Sequence, residues 1–229
     1  MRITLEVVVA SAADAVAAAA GGADRLELVA ELSAGGIAPS ADTIRAVRQA
    51  TALPLYVMIR PRGGSFVYDP GEVATMAAQA RMARDLGADG LVVGALTAAG
   101  AIDEETLRTV LQAGAVPATF HRAFDELSDK RSALLHLATL PYIERVLTSG
   151  GSGQPQAAIA MLRALIKQAS GVEVMVGAGV TLGNAAAILG ETEAQALHTA
   201  TAVRDPQLPG AAVSAERVRQ MRRILDGGV

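Results

Sequence analysis

The segment TFHRAFD, residues 119–125, places a histidine, an arginine and an aspartate within five positions. His121 has a side chain that can accept or donate a proton near neutral pH. Arg122 can bind a carboxylate or phosphate through two parallel hydrogen bonds, and Asp125 can act as a base or hold either neighbour in place. The chain has 3 histidines in all, so this grouping predicts acid–base chemistry on an anionic ligand.

Other polar residues could join this segment in one site. Glu27 alternates with Leu26 and Leu28, so its side chain points away from theirs. An interior carboxylate needs a partner, and the same argument applies to Glu6, which we expect to lie deeper. Guanidinium groups and backbone N–H groups near helix starts are typical anion ligands. The candidate catalytic residues are Glu27, His121, Asp125 and His198. The candidate substrate-binding residues are Arg60, Arg62, Arg122, Ser149, Gly150, Gly151, Gly177 and Gly179.

Each candidate also has a purely structural interpretation. The two histidines could be packed at the rim of the fold, and the arginines could pair with Glu27, Asp69 or Asp125. The segment GAGVT, residues 177–181, fits one half of a phosphate site, but the glycine-rich turn expected after the last strand is absent. For the glycines, turn formation is therefore the favoured interpretation.

The elements that would position these residues follow one repeated pattern. Short β-branched runs alternate with helical segments, and helix 71–87 is the clearest, with Val73, Met76, Ala77 and Ala80 on one stripe and Gly87 as its stop. Ser40 and Asp103 are expected N-caps of two other helices. The predicted strands are 3–9, 25–30, 55–60, 90–96, 117–122, 145–150, 172–178 and 196–200.

Eight such units predict an α/β fold, a (β/α)8 TIM barrel in one domain over residues 1–229, with a doubly wound open sheet as the alternative. Barrels place their sites at the carboxyl ends of the strands, where TFHRAFD and the other candidates fall. The connections after the second, third and eighth strands are long, which is typical of lids or substrate walls.

Composition narrows the class of protein. A net charge of −3 argues against a nucleic-acid partner, and no apolar run is long enough to predict a membrane span. The chain has no cysteine, which excludes disulfides and thiolate sites, and we expect a cytoplasmic protein. Lys130 and Lys167 are the only lysines and lie in helical segments, which argues against a Schiff-base mechanism. Met58 and Met175 are expected in the core.

A set of motifs resembles the CutC family, which is named for copper homeostasis. LEVVVAS, GGADRLEL, GGIAPS, VMIRPRGG, GADGLVVGAL, TFHRAFD, RVLTSGG and VGAGVT occur in this order, and the resemblance runs from Leu5 to about Thr199. The resemblance implies a (β/α)8 barrel, a cytoplasmic homo-oligomer, and a link to copper tolerance and copper(I) binding. Cysteines proposed as copper ligands in some members correspond here to Val8 and Val29. Copper(I) prefers soft sulfur ligands, so copper is implied as a cofactor by resemblance alone.

Three functions stay open from the sequence. The first is copper homeostasis with copper ion binding, for which His121, His198 and Glu27 are weak candidate metal ligands that suit zinc or copper(II). The second is an enzyme that acts on a small phosphorylated or carboxylated metabolite, with His121 or Glu27 as general acid or base and His198 as the counterpart. The third is a scaffold that acts through oligomeric contacts. The reaction stays open among proton abstraction, isomerisation and hydrolysis.

Overall fold

A computed structural model describes residues 2–151, 153–208 and 210–227, and in it eight parallel strands close into a barrel. The barrel strands are β1 Thr4–Val9, β2 Arg25–Leu28, β3 Leu55–Met58, β4 Gly90–Val93, β5 Ala118–Phe120, β6 Ile143–Thr148, β7 Glu173–Val176 and β8 Ala196–Thr199. Because β1 pairs with both β2 and β8, the barrel prediction is confirmed and the open sheet is excluded. All eight predicted strands are present, but most end earlier than predicted because the chain turns into the loops above the barrel.

Eight helices cover the outside of the described barrel. They are α1 Ala12–Gly21, α2 Ala41–Ala50, α3 Pro70–Asp85, α4 Glu104–Gly114, α5 Lys130–Leu137, α6 Ile159–Gln168, α7 Ala185–Thr192 and α8 Ala215–Leu225. Ser40 and Asp103 cap α2 and α4, as predicted, by accepting hydrogen bonds from free backbone N–H groups. On α3, Met76, Ala77 and Ala80 are buried against the strands, and Val73 is half-buried. None of the helices in the described residues is long and apolar enough to cross a membrane.

The repeated tripeptide Gly-Ala-Asp has the same structural role at both of its positions. Gly22 and Gly87 take left-handed backbone angles, with φ of 93° and 88°, just after α1 and α3. Asp24 and Asp89 then accept a hydrogen bond from a backbone N–H near the start of the preceding strand, at Leu5 and Leu55, both at 2.8 Å. The tripeptide therefore ends a helix and fixes the amino-terminal end of a pair of strands.

The two faces of each strand have different surroundings. Leu26 and Leu28 pack in the main apolar core between the strands and the helices. Glu27, which lies between them, points into the barrel, as the alternation predicts. Glu6, Arg25 and other charged residues are also buried inside the barrel. Interior charges must be paired to be tolerated, so this barrel interior is organised by ion pairs as well as by packing.

The connection after β8 forms a small structured wall. It contains a 3-10 helix, Thr201–Val203, and a hairpin of β9 Arg204–Asp205 with β10 Ala212–Val213. Arg204 is almost fully buried and donates hydrogen bonds to the Asp14 carboxylate at 3.4 Å and to the Val8 carbonyl at 3.0 Å. These bonds fix the connection to α1 and β1. The other 3-10 helices in the described residues are Leu32–Ala34, Arg122–Glu126 and Pro155–Ala158.

Candidate active site

A cavity of about 550 Å³ opens at the carboxyl ends of the strands. This volume lies within the range of small-molecule sites, roughly 300–1,000 Å³. The predicted residues that line it are Glu27, Arg60, His121, Arg122, Gly179 and His198. The predicted residues outside the lining are Arg62, Asp125, Ser149, Gly150, Gly151 and Gly177. The structure thus brings together residues from β2, the end of β3, the end of β5, the loop after β7, and β8.

Glu27 and His198 in the cavity lining belong to a chain of buried charged groups on β8, β1 and β2 that continues behind the lining. The strand register places Glu6 beside both Arg25 and His198. Arg25 Nε lies 2.5 Å from Glu6 Oε2, and His198 Nδ1 lies 2.8 Å from Glu6 Oε1. Glu27 Oε2 lies 3.9 Å from the same His198 nitrogen. Glu6 therefore has two close basic partners, Arg25 and His198. Glu27 has only His198 nearby, and at a longer distance.

The two buried carboxylates titrate in opposite directions. Burial raises the pKa of Glu6, but Arg25 and His198 outweigh it and bring this pKa down to about 2. Burial also raises the pKa of Glu27, and here the attraction of His198 does not compensate, so the pKa is about 7. Burial lowers the pKa of His198, but Glu27 and Glu6 outweigh it and raise the pKa above its usual range. Glu6 and His198 are thus a hydrogen-bonded pair whose pKa shifts favour the charged forms, and Glu27 is the carboxyl whose pKa lies near neutral pH.

Another part of the cavity lining is a stack of Arg60, Phe66 and His121. The Arg60 guanidinium lies 4.7 Å from the centroid of the Phe66 ring, and that ring lies 4.8 Å from the His121 ring. The backbone N–H of Ala123 donates to His121 Nδ1 at 3.1 Å, so the neutral imidazole holds its proton on Nε2. Burial and the positive charge of Arg60 lower the pKa of His121 to about 3. His121 is therefore a neutral N–H donor at physiological pH.

Two glycines make room for the histidines. A Cβ on Gly94 would lie 2.4 Å from His121 Cε1, and a Cβ on Gly177 would lie 3.0 Å from His198 Cβ. The N–H of Gly177 donates to the Thr148 carbonyl at 3.0 Å, so it is not available to a phosphate. The structure supports the turn and packing interpretation for Gly177 over the anion-binding one.

Asp125 organises the segment instead of facing the cavity. Its carboxylate accepts hydrogen bonds from Thr148 Oγ1 at 2.5 Å, from Ser149 Oγ at 2.9 Å and from Arg122 Nε at 3.1 Å. Gly150 donates its N–H to Thr148 Oγ1 at 2.8 Å. These bonds hold the end of β6 against the 3-10 helix that follows His121. Asp125, Ser149 and Gly150 are therefore positioning residues in this geometry.

The two neighbouring arginines have different surroundings. Arg62 pairs with Glu72, with Nε 2.5 Å from Oε1, and lies outside the cavity on the loop after β3. Arg60 is buried and donates its terminal N–H groups to backbone carbonyls of both long loops, including Gly36 at 3.2 Å and Gly64 at 2.7 Å. No carboxylate of the described residues pairs with Arg60, so its charge is uncompensated at the cavity wall.

Four residues on the cavity lining each have a buried polar atom without a partner among the described residues. The atoms are Glu27 Oε2, Arg60 Nε, His121 Nε2 and Thr199 Oγ1. Thr199, which follows His198 on β8, was not among the predicted site residues. Phe66 was missed as well, since an aromatic residue in a loop carries no sequence signal of a role in a site.

A second grouping bears on metal binding. The donor atoms of Glu6, Glu27 and His198 all lie within 4.8 Å of one another, and in the described residues His121 is not part of this cluster. The predicted set of His121, His198 and Glu27 is thus not brought together. Val8 and Val29, at the positions of the family's cysteines, both line the cavity. Without thiolates, these residues do not fit copper(I).

Comparisons with known proteins identify the relatives of this chain. The model of the CutC family matches residues 3–203. The human copper homeostasis protein cutC homolog is 45% identical over 204 residues, covering 88% of this chain and 74% of the human protein. A CutC family protein of Xanthomonas axonopodis pv. citri is 43% identical over 208 residues, covering 90% of this chain and 86% of that protein.

Solved structures agree with the fold. The crystal structure of CutC from Streptococcus agalactiae matches with a TM-score of 0.81 and 34% identity, covering 86% of this chain and 97% of that chain. Phosphoribosylanthranilate isomerase from Thermotoga maritima matches with a TM-score of 0.63 and 11% identity, covering 98% of this chain and 99% of that chain. At that identity the second match concerns the barrel fold alone.

Proposed function

The chain belongs to the CutC family, and we propose that it binds a small organic anion in the cavity and carries out acid–base chemistry on it. Glu27 is the proton-exchanging group, and His121 is a neutral hydrogen-bond donor that faces the ligand. Arg60 and Arg122 supply positive charge at the cavity wall.

The observation that carries the proposal is the set of unpartnered atoms on the cavity wall. Glu27 Oε2, His121 Nε2 and Thr199 Oγ1 are buried and have no hydrogen-bond partner among the described residues. Each buried, unsatisfied polar group costs about 1–3 kcal/mol. A barrel built only for stability has apolar residues at such positions. A polar ligand that contacts all three atoms would offset the cost.

The charges favour an anion as that ligand. Arg60 is buried and lacks a carboxylate partner, and a lone buried charge is costly unless a counter-ion binds. Arg122, beside it in the lining, is 47% exposed and keeps part of its guanidinium towards solvent. Burial lowers the pKa of His198, but Glu27 and Glu6 outweigh it and raise this pKa above its ordinary value, which favours the cationic form. Carboxylates and phosphates are the groups that such a set recognises.

A second candidate is binding of a divalent metal at Glu6, Glu27 and His198. The cluster places one imidazole and two carboxylates within reach of a single ion. Oxygen and imidazole ligands suit zinc or copper(II). The name of the human relative concerns copper homeostasis. If this chain binds copper(II), the cluster of Glu6, Glu27 and His198 is the candidate site. A metal there would compete with Arg25 and with the proton of His198, which makes the anion the better-supported ligand.

Thermal unfolding measures both candidates in one experiment. The purified protein is screened against phosphorylated and carboxylated metabolites, Cu(I), Cu(II) and Zn(II). A ligand that binds only the folded state adds about 2.7 kcal/mol of stability at a hundred times its dissociation constant. We expect stabilisation by one class of anion. Arg60→Gln should lose this stabilisation because it removes the charge, whereas Arg60→Lys should keep part of it.

Arg45→Ala is the matched control, because Arg45 is an exposed arginine that pairs with Asp42 on α2, far from the cavity lining. It should keep the full response to the anion. Stabilisation by metals alone, lost in Glu27→Gln, would replace the anion proposal with the metal one. A response to neither class would contradict both.

A further inference from the structure

We infer that the chemistry is proton transfer at carbon: Glu27 removes a proton from a carbon next to a carbonyl, and His121 Nε2–H donates to the carbonyl oxygen. The inference rests on the proposed function and narrows its substrate to small anionic 2-oxo acids and hydroxycarbonyl phosphates. It depends on two groups in one cavity lining, a free carboxylate oxygen on Glu27 and a free N–H group on His121.

Glu27 has the properties of a base for a carbon acid. Its Oε2 is buried and unpartnered, so it can approach a C–H group without first breaking a hydrogen bond. The competing cation, His198, is already bonded to Glu6 at 2.8 Å and lies 3.9 Å from Glu27.

His121 has the properties of the group that stabilises the resulting oxyanion. Its Nδ1 is occupied by the Ala123 N–H, so only Nε2–H faces the ligand, and this atom has no protein partner. The positive charge of Arg60 and the burial of the ring keep His121 neutral. A neutral imidazole N–H that polarises a carbonyl opposite a carboxylate base is a known solution for enolisation in another barrel enzyme.

Other reaction classes lack a required group. The described cavity lining contains no lysine and no cysteine, so it offers neither a Schiff base nor a thiolate nucleophile. His121 cannot serve as the base, because its accepting nitrogen is already bonded.

The step balances without an added reactant. The C–H bond breaks and its proton moves to Glu27 Oε2. The electron pair of that bond forms a carbon–carbon double bond, and the carbonyl oxygen becomes an enolate oxygen that accepts the hydrogen bond of His121 Nε2–H. Glu27 then returns the proton to the same carbon. In a substrate with a hydroxyl on the carbon that lost the proton, Glu27 can instead protonate the former carbonyl carbon. The hydroxyl proton then moves to the enolate oxygen, the carbonyl forms at the first carbon, and the substrate is isomerised without an oxidant or a reductant.

The test follows exchange of carbon-bound hydrogen in D2O by proton NMR. The probes are dihydroxyacetone phosphate, hydroxypyruvate and pyruvate, and thermal unfolding measures the binding of each. With the wild-type protein, we expect exchange next to the carbonyl of the probe that binds. Glu27→Gln should slow this exchange about 10²–10⁴-fold, the usual contribution of a general base. His121→Leu should slow it about 10²–10³-fold, and His121→Gln, which restores an N–H donor, should lose less.

Glu144→Gln and His136→Ala are matched controls, because both residues are exposed and lie outside the cavity lining. Both variants should catalyse hydrogen exchange in the probe at the wild-type rate. Binding of a probe without exchange, or equal exchange in Glu27→Gln, would overturn this inference and leave the anion site standing. Absence of binding by every anion in the metabolite screen would overturn the proposed function as well.

Discussion

Replacing Arg25 by methionine is expected to lower the free energy of unfolding by about 3–5 kcal/mol, because it leaves a buried carboxylate without its counter-charge. In the wild-type protein, Arg25 Nε lies 2.5 Å from Glu6 Oε2, and both side chains are buried inside the barrel. Methionine keeps much of the apolar length of the side chain, so the loss is mainly electrostatic. Urea unfolding at pH 7 measures the change.

Lower pH is expected to reduce the difference in free energy of unfolding between the wild-type protein and Arg25→Met. Burial would raise the pKa of Glu6, but Arg25 and His198 hold it at about 2, below its ordinary value of 4.5. A lowered carboxylate pKa stabilises the folded state above the ordinary value, and this contribution is lost as the pH falls towards 2. The double variant Arg25→Met, Glu6→Gln removes the stranded charge and should recover much of the loss. Wild-type stability of Arg25→Met at pH 7 would contradict this description of the pair.

Replacing Glu27 by glutamine is expected to act in the opposite direction and raise the free energy of unfolding at pH 8 by roughly 1–3 kcal/mol. Burial raises the pKa of Glu27 from 4.5 to about 7, despite the opposing charge of His198. The folded protein therefore binds this proton more tightly than the unfolded chain does. Stability falls as the pH rises above 4.5, and the full cost is present above 7. Glutamine cannot ionise, so it avoids the cost.

Urea unfolding of both proteins at pH 5 and pH 8 measures this effect. The advantage of Glu27→Gln should be small at pH 5 and grow at pH 8. Glu144→Gln, an exposed change on β6, should show no such growth. A Glu27→Gln variant that is less stable than wild type at pH 8 would mean that Glu27 is a structural ion-pair residue. A carboxylate kept at a cost in stability is typical of a functional site.

The fold could be predicted from the sequence because its signals are local. The alternation of strands and helices predicted the eight units. Ser40 and Asp103 predicted the starts of two helices, and the structure confirms both. The inward direction of Glu27 also followed from its neighbours Leu26 and Leu28. Most of the predicted strands ran too long because the ladder of hydrogen bonds ends where the chain turns into the loops, and the sequence does not mark that point.

The sequence could predict which residues belong to the site, but not the direction, protonation state or pairing of their side chains. Arg60 and Arg62 are two positions apart in similar sequence, and only the path of the loop after β3 turns one inward and the other towards Glu72. The protonation state of His121 depends on a bond to the Ala123 N–H, which exists only in the folded turn. The pairing of Glu6 with His198 joins residues 192 positions apart through closure of the barrel.

A crystal structure of the protein with the most stabilising anion of the metabolite screen would test the central claim most directly. We expect the anion to lie in the cavity, within hydrogen-bond distance of His121 Nε2 and with its charged group towards Arg60 and Arg122. An anion bound outside the cavity would contradict the proposed anion site. A metal ion bound by Glu6, Glu27 and His198, with no anion in the cavity, would also contradict it.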